Sequence, residues 1–200
     1  MILRSAVASP FVRKVRIAAG ILGLESRIKL EPADTVNPSD TVREQNPLGK
    51  IPALVLDDGM VLFDSRVILD YLDHVAGGGR IVPADPKARF AALRLQALAD
   101  GLMDASILLV YEGRWRDPAK HEPKWVEHQA GKVMRALAAL EAAPPALAAT
   151  PDVGQIALAC ALAYQDLRFE GAWRKDHPRL VKYLEAFAAA VPAFAATQSS

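Results

Sequence analysis

The chain of 200 residues contains almost no cysteine, since Cys160 stands alone. A single cysteine cannot form an internal disulfide, and no Cys-x-x-Cys pair is present. A free thiol fits a reducing compartment, so a cytoplasmic location is expected. Cys160 lies in an apolar segment, where a small core residue is expected rather than a redox group.

The chain also lacks an excess of one charge and a long apolar run. Its 24 basic and 23 acidic residues give a net charge of +1, so binding to nucleic acid or to an anionic membrane is not expected. The longest apolar stretches, such as residues 156–164, are far shorter than the roughly 18 residues of a membrane helix. Met1 leads almost at once into a strand-like segment, so no leader peptide is expected.

Histidine is scarce too, and the four histidines predict no metal site. His121 and His128 are seven residues apart and could share a helix face, but no third ligand is spaced to join them. We therefore expect no metal cofactor.

Aromatic residues make up only 6% of the chain, whereas apolar residues make up 52%. That apolar content excludes a disordered chain, and the length suffices for one large domain or two small ones. Alanine, which has the highest helix propensity, is very common, so a helix-rich fold is expected.

The first third of the chain predicts the order β-α-β-loop-β-β-α. Ser9 and Pro10 are typical of a helix start, Gly23 is typical of a helix end, and Asp-Asp-Gly at 57–59 predicts a hairpin. The predicted strands cover residues 2–7, 26–30, 51–56 and 60–63, the helices cover 10–22 and 64–74, and a polar loop covers 32–46.

The helix predicted over residues 10–22 has an apolar stripe with basic residues opposite it. The basic residues are Arg13, Lys14 and Arg16. This arrangement favours a solvated helix face over a binding patch.

Everything after Gly-Gly-Gly at 77–79 is predicted to be helical, over residues 87–116, 123–142, a segment from 152, and 180–190. Asp152 and Gln155 resemble a capping box, and the helix that they open is apolar on nearly every side and therefore buried. The order indicates an α+β domain over residues 1–76, a linker over 77–86 and an all-helical domain over 87–200.

Five segments, in family order, resemble cytosolic glutathione transferases of the serine type, in particular bacterial and plant tau-like members. Residues 8–16 (Ala-Ser-Pro-Phe-Val-Arg-Lys-Val-Arg) are similar to the family's first strand–helix junction. Residues 46–54 resemble its glutathione-backbone loop, and residues 63–65 resemble its γ-glutamyl site. Residues 152–162 and 177–197 resemble the capped central helix and the closing helices of its second domain. The resemblance implies a thioredoxin-like βαβ-ββα domain followed by an all-α domain.

The resemblance implies that Ser9 stabilises the thiolate of glutathione. A free thiol has a pKa of about 8.5, and a hydroxyl that donates to sulfur at the positive end of a helix favours the thiolate. A plain N-cap is the alternative interpretation of Ser9, and the two roles can coexist.

The same resemblance implies the other contacts with glutathione. A cis bond at Ile51-Pro52 would turn the backbone of Ile51 toward the cysteinyl backbone of glutathione, and a trans proline at a strand start is the alternative. Ser65 would hold the γ-glutamyl carboxylate and Asp64 would face the amino group, unless one of them only caps the helix. Lys50 would meet the glycyl carboxylate, or remain solvated.

The second substrate is expected between the domains, a common location for ligand sites. Phe11 is expected to line both this pocket and the glutathione site, and the other expected residues lie on the long helix: Met103, Ile107, Tyr111, Arg114 and Trp115. The implied reaction is conjugation of glutathione, as co-substrate, to a small hydrophobic electrophile. A glutathione-dependent isomerase or dehalogenase, and a non-catalytic interaction protein on the same fold, are the alternatives.

The resemblance also implies a homodimer in which the first domain of one subunit packs on the second domain of the other. The apolar residues on the two helices that would meet are Val67, Ile68, Tyr71, Leu72, Phe90, Leu93 and Leu98, with Arg89 and Arg94 beside them. Packing within one subunit is the alternative. Asp100 on the long helix is expected to reach the γ-glutamyl amine held by the partner.

Overall fold

The computed structural model describes residues 1–198 and confirms the predicted order of elements in the first third of the chain. Four strands form one sheet in the order β2-β1-β3-β4: β1 (Ile2–Ser5), β2 (Lys29–Pro32), β3 (Ala53–Val55) and β4 (Val61–Leu62). The β1–β2 pair is parallel, whereas the β1–β3 and β3–β4 pairs are antiparallel. The helices of this part are α1 (Pro10–Leu22), α2 (Val42–Gln45) and α3 (Ser65–Val75).

The strands are shorter than the sequence predicted. The strand predicted over residues 26–30 is wrong at its start, because Glu25–Arg27 form a 3-10 turn and β2 begins only at Lys29. β1 likewise ends at Ser5, where its pairing with β2 ends. Alternation of side chains predicts which face of a strand is buried, but it does not show where the partner strand ends.

Helix α1 begins and ends where the sequence predicted. Ser9 is its N-cap, and Gly23 follows its last turn in the left-handed conformation, at φ 72°. The predicted solvated face is wrong for Lys14, which is fully buried and lies 2.6 Å from Asp100, measured from Nζ to Oδ1. Because Asp100 follows 86 residues later, the sequence of α1 alone could not show that Lys14 has a buried partner.

The segment predicted as a polar loop is held against the sheet by Arg4 of β1. The guanidinium of Arg4, which is 3% exposed, donates to Thr41 Oγ1 at 2.9 Å and to Gln45 Oε1 at 2.6 Å. It also pairs with Asp40 at 2.8 Å. These bonds give the segment a fixed shape that includes the short helix α2.

The glycine-rich linker is held by a carboxylate of α3. Asp73 accepts hydrogen bonds from the backbone N–H groups of Gly79, Arg80 and Ile81 at 2.8, 2.9 and 2.7 Å. The carbonyl of Ile81 in turn accepts from the N–H of Val153 at 2.9 Å. The connection is therefore tied to both halves of the chain, and the division into domains at residues 76 and 87 stays a prediction.

The remaining helices are α4 (Pro86–Trp115), α5 (Pro123–Ala142), α6 (Val153–Phe169), α7 (Pro178–Ala190) and α8 (Pro192–Ala196). The capping box of α6 is confirmed, because Asp152 accepts from the N–H of Gln155 at 2.9 Å and Gln155 Oε1 accepts from the N–H of Asp152 at 3.1 Å. Gly154 allows a close approach of α4, since a Cβ there would lie 2.5 Å from the carbonyl oxygen of Ala92. None of the helices within residues 1–198 combines the length and the apolar character needed to cross a membrane.

Cys160 belongs to the buried helix α6, as the sequence predicted. It is 1% exposed, and burial raises the pKa of its thiol to about 12. A thiol with so high a pKa is protonated near neutral pH and is therefore a poor nucleophile.

Candidate functional site

Three loops meet at one end of the sheet. β1 runs antiparallel to β3, and Arg4 near the end of β1 lies opposite Ala53, the first residue of β3. The segment that leads from β1 to Ser9 therefore begins at the end of the sheet where the chain enters β3. β4 runs antiparallel to β3, so Asp64, which follows β4 closely, comes to the same end. The topology thus brings together the three segments in which the sequence predicted glutathione contacts.

The hydroxyl of Ser9 has a proton that its capping role does not use. Ser9 Oγ accepts a hydrogen bond from the backbone N–H of Val12 at 3.3 Å. A hydroxyl that accepts through a lone pair keeps its proton for donation elsewhere. Ser9 is half-buried at the positive end of α1, a 13-residue helix. The geometry is compatible with both interpretations of Ser9, the cap and the donor to an anionic atom.

The loop before β3 is shaped by the buried side chain of Asn46. Its amide donates to the carbonyl of Lys50 at 2.9 Å and accepts from the N–H of Leu48 at 3.1 Å. The Ile51–Pro52 peptide bond is cis, as predicted, and the side chain of Lys50 is exposed. The sequence analysis missed the role of Asn46, although asparagine commonly bonds the backbone two residues on in a turn.

The two residues predicted to bind the γ-glutamyl group differ in their roles within the fold. Asp64 caps α3, because its Oδ1 accepts from the N–H of Arg66 at 2.9 Å. Ser65 is 2% exposed, and its hydroxyl makes no hydrogen bond to any of residues 1–198. The capping alternative therefore applies to Asp64, while the oxygen of Ser65 stays unpaired beside the free N–H groups of the first turn.

A series of ion pairs connects α1 with the start of α3. Asp100 of α4 pairs with Lys14 at 2.6 Å and lies 3.3 Å from Nε of Arg66, and Nη2 of Arg66 lies 3.5 Å from Asp64. Burial raises the pKa of Asp100, and Lys14 and Arg66 oppose that rise. The expectation that Asp100 reaches a ligand held by a partner subunit is wrong. Its carboxylate is enclosed in its own subunit, where Lys14 and Arg66 neutralise it.

Asp104, one turn further along α4, adds a second acid to this cluster. Partial burial raises its pKa and the charge of Asp100 raises it further, whereas Arg66 and Lys50 lower it. The sequence analysis missed Arg66 and Asp104. Arg66 had a local signal, since it directly follows the predicted γ-glutamyl residues, but the place of Asp104 depends on how α4 packs.

The residues predicted to line the second-substrate pocket differ in exposure. Met103 is fully buried in the core, so it lies behind the surface of α4. The others are half-buried or exposed: Phe11, Ile107, Tyr111, Arg114 and Trp115. The guanidinium carbon of Arg114 lies 5.1 Å from the ring centre of Tyr111, so these two side chains form one surface.

A cavity of about 380 Å³ lies beside Ser9. It is bounded by the N-terminus of α1, the last turns of α6, and helices α7 and α8, and Ser9, Tyr164 and Leu167 contribute to its wall. Its volume is in the range of small-molecule sites, roughly 300–1,000 Å³. Among the described residues that line it, none belongs to the set predicted for the second substrate.

Histidine and acidic side chains do not gather into a metal site in the part of the chain that the structure describes. No three His, Cys, Asp or Glu side chains among residues 1–198 lie close enough together to hold an ion. His121 Nε2 lies 3.2 Å from the carbonyl of Arg116, and the ring of His128 stacks on Trp125. The two histidines therefore have separate protein partners.

Both halves of the chain match known protein families. The family described as Glutathione S-transferase, N-terminal domain, matches residues 8–75, and the family described as Glutathione S-transferase, C-terminal domain, matches residues 123–186. This chain belongs to the glutathione S-transferase family. The membership confirms the resemblance that the sequence motifs indicated.

Similar proteins extend the match over the length of this glutathione S-transferase family member. The Uncharacterized GST-like protein YibF of Escherichia coli K12 is 35% identical in an alignment of 191 residues that covers 92% of this chain and 92% of that protein. A crystal structure of a glutathione transferase family member from Pseudomonas fluorescens Pf-5, with bound glutathione, is 46% identical at a TM-score of 0.92, over 100% of this chain and 98% of that chain. Another crystal structure from that strain, with bound S-(propanoic acid)-glutathione, is 42% identical at a TM-score of 0.87, over 100% of both chains. The predicted fold, a thioredoxin-like domain followed by an all-α domain, is thereby confirmed.

Proposed function

We propose that this protein conjugates the thiolate of glutathione to a small hydrophobic electrophile and acts in the detoxification of such compounds. The observation that carries the proposal is the half-buried hydroxyl of Ser9, which has an uncommitted proton at the N-terminus of α1. A donor in that position stabilises an anionic sulfur through a charge-assisted hydrogen bond and the helix dipole. Glutathione is the co-substrate, and no metal ion takes part.

The chemical step forms one bond between sulfur and carbon. The thiolate of bound glutathione supplies the electron pair, and in a displacement the leaving group departs with the electrons of its bond to the same carbon. In an addition to an activated double bond, the π electrons of that double bond move to the activating group, and water supplies the proton. Ser9 keeps its proton in both cases, because it only donates a hydrogen bond to sulfur.

The peptide part of glutathione is held along β3 and at the start of α3. Ile51, which precedes the paired residues of β3, offers its backbone N–H and C=O to the cysteinyl unit like an added strand. Ser65 and the first turn of α3 bind the γ-glutamyl carboxylate, and Asp64 faces the amino group. Lys50 meets the glycyl carboxylate, and Phe11 of α1 packs beside the thiol. The glutathione and the glutathione thioether bound in the two Pseudomonas fluorescens structures support such a site.

Replacing Ser65 with alanine is expected to weaken glutathione binding about 10- to 150-fold, because a charge-assisted hydrogen bond contributes about 1.5–3 kcal/mol. The pKa of the bound thiol should change little, since Ser65 lies at α3 and not beside Ser9. Calorimetric titration with glutathione measures the dissociation constant. Ser39→Ala, at an exposed serine, is the matched control. An unchanged dissociation constant in Ser65→Ala would show that Ser65 serves only the helix start.

Two successive assays distinguish conjugation from the other glutathione-dependent reactions and from a non-catalytic role. Retention on immobilised glutathione, with elution by free glutathione, tests the binding site. A panel of electrophiles with displaceable groups or activated double bonds then tests conjugation. A protein that is retained but isomerises or dehalogenates its substrates without forming a thioether is another glutathione-dependent enzyme. A protein that is retained and turns over nothing is an interaction protein.

The proposal includes a homodimer. Val67 of α3 and Phe90 of α4 are 47% and 69% exposed, more than their apolar side chains need within one subunit. Ile68 and Leu72 were expected at the dimer interface, but both are fully buried in the core of their own subunit and cannot contact a partner. The remaining apolar surface, with Arg89 and Arg94 beside it, has the mixed character of an interface.

Sedimentation equilibrium at micromolar protein is expected to give twice the chain mass of 21.6 kDa. Phe90→Glu should shift the equilibrium toward the monomer, because a charge would be buried against the partner's apolar surface. Met134→Glu, at an exposed apolar residue on α5, is the control. A single species at the mass of one chain in the unmodified protein would contradict the dimer.

A cytoplasmic location completes the proposal. Cys160 is free and buried, and the chain needs no disulfide. The cytosol also maintains a pool of reduced glutathione, which is the co-substrate of the proposed reaction. The near-neutral net charge of +1 gives no reason to propose nucleic acid as a partner.

A further inference from the structure

The cavity beside Ser9 is lined by one cation, Arg13, that forms no ion pair with any carboxylate of residues 1–198. Four charged side chains line it: Arg13, Asp166, Arg174 and Glu185. Asp166 and Arg174 neutralise each other through two bonds, of 2.8 and 2.6 Å, and Asp166 also accepts from the indole N–H of Trp173. Glu185 is exposed at the rim, where its charge acts on Arg174. Both acids therefore act mainly on Arg174, and Asp166 reaches Arg13 only through the longer-range effect of its charge.

Arg13 projects from the same face of α1 as Ser9, one helical turn later. Its backbone N–H donates to the carbonyl of Ser9 at 3.0 Å, and residues four apart on a helix are neighbours. Its guanidinium donates to the carbonyl of Phe194 at 2.8 Å and to Thr197 Oγ1 at 3.3 Å, and it lies 4.2 Å from the centre of the Phe194 ring. These partners are neutral, and no carboxylate among residues 1–198 forms an ion pair with Arg13. Burial is the main cause that lowers the pKa of Arg13, and the charge of Asp166 offsets this fall only in part.

A cation in this position favours an anionic ligand. A guanidinium has five N–H donors in a planar fork, and the bonds to Phe194 and Thr197 leave Nη1 free for a carboxylate. The rest of the wall is largely apolar, with Leu167, Leu184, Ala188 and the ring of Phe194. Such a wall suits the body of a hydrophobic molecule, while the cation fixes the position of one charged group.

We propose that this cavity holds the electrophile and that Arg13 selects electrophiles that carry a carboxylate on an apolar body. The inference rests on the proposed conjugation and names the substrate class of that site. It locates the second substrate between α1, α6, α7 and α8 rather than on the surface of α4. Arg13 acts as a specificity-determining residue that contacts the substrate, one turn from the hydroxyl that faces the sulfur.

A binding experiment tests the anion site without relying on turnover. Calorimetry compares S-(ω-carboxyalkyl)glutathiones with S-alkylglutathiones of equal chain length. The unmodified protein should bind the carboxylated member of at least one pair about tenfold more tightly, as one charge-assisted hydrogen bond provides. Arg13→Gln should reduce this preference to about twofold or less, and Arg13→Lys should keep most of it, because lysine retains the charge.

Two control variants separate charge from folding. Thr197→Val removes the hydrogen bond between Arg13 and the residue that follows α8 but leaves the charge of Arg13. Arg16→Gln removes a cation of the same helix that does not line the cavity. Both should keep the preference for the carboxylated thioether. Because each preference is a ratio within one variant, a general loss of stability does not alter it.

Turnover gives the second measurement. 4-Chloro-3-nitrobenzoate and 4-chloro-3-nitrobenzamide have the same leaving group, but only the benzoate carries a negative charge. Arg13→Gln should lower kcat/KM for the benzoate about tenfold and leave the benzamide within about twofold. Equal affinity for charged and neutral thioethers in the unmodified protein, or an unchanged preference in Arg13→Gln, overturns the inference. Absence of turnover with an intact thioether preference instead overturns conjugation and supports the anion site.

Discussion

Replacing Lys14 with methionine should lower the free energy of unfolding by about 3–5 kcal/mol. Lys14 is fully buried, and its Nζ lies 2.6 Å from Oδ1 of Asp100, which is 1% exposed. Methionine fills much of the space of the lysine stem, so the main loss is the charge that compensates Asp100. Urea unfolding at a fixed protein concentration measures the change, because the stability of a dimer depends on concentration.

Three further variants show whether the loss comes from the unpaired charge. Asp100→Asn should cost a similar amount, whereas the double variant Lys14→Met/Asp100→Leu should recover most of it, because an apolar replacement of a whole buried pair is often neutral. Arg16→Met, at a half-buried arginine on the same helix, should change stability by about 0.5 kcal/mol or less. A loss below about 1 kcal/mol in Lys14→Met would mean that the pair is dispensable.

The loss should also depend on pH in a definite direction. Burial raises the pKa of Asp100, Lys14 and Arg66 lower it, and the charge of Asp64 raises it slightly, so removal of Lys14 raises it further. At pH values above the ordinary carboxyl pKa of about 3.9, Asp100 of the folded variant therefore holds a proton that the unfolded chain has lost. Because the folded state binds more protons than the unfolded state, the free energy of unfolding of the variant falls as the pH rises above that value. The deficit relative to the unmodified protein should therefore be smaller at about pH 5 than at about pH 8.

Lys14 also shows which parts of this structure could be predicted from the sequence. The helix ends depend on neighbouring residues, so Ser9, Gly23 and the Asp152–Gln155 box were predicted at the correct positions. The burial of Lys14 depends on Asp100, which comes 86 residues later. No pattern within α1 distinguishes a lysine that points to solvent from one that meets a carboxylate on another helix.

In the candidate site, too, some parts could be predicted from local sequence and others could not. The segments around Ser9, Pro52 and Ser65 each have a local motif, and the topology of the sheet brings them to one end. The second-substrate pocket has no such motif, because it depends on how helices far apart in sequence pack. Met103 was therefore expected at a surface although it is fully buried, and the cavity next to Arg13 was not anticipated.

Replacing Ser9 with alanine should lower kcat about 10- to 150-fold and leave the dissociation constant of glutathione nearly unchanged. The hydroxyl contacts only sulfur in the proposed complex, and a charge-assisted hydrogen bond contributes about 1.5–3 kcal/mol, which corresponds to this range of rates. The peptide of glutathione is held elsewhere, at Ile51 and Ser65. Steady-state kinetics with a reporting electrophile, together with calorimetric titration of glutathione, measures both quantities.

Two variants separate the catalytic role of Ser9 from its role as the cap of α1. Ser9→Gly removes the hydroxyl but costs the helix only a few tenths of a kcal/mol, so a loss of kcat as large as in Ser9→Ala would assign the effect to the missing donor. Ser9→Thr keeps the donor and should retain most of the activity. Without the hydrogen bond the bound thiol has a higher pKa, so the deficit of Ser9→Ala should narrow as pH rises toward the free thiol pKa of about 8.5. An unchanged kcat in Ser9→Ala, under conditions where the chemical step limits the rate, would leave Ser9 as a helix cap alone.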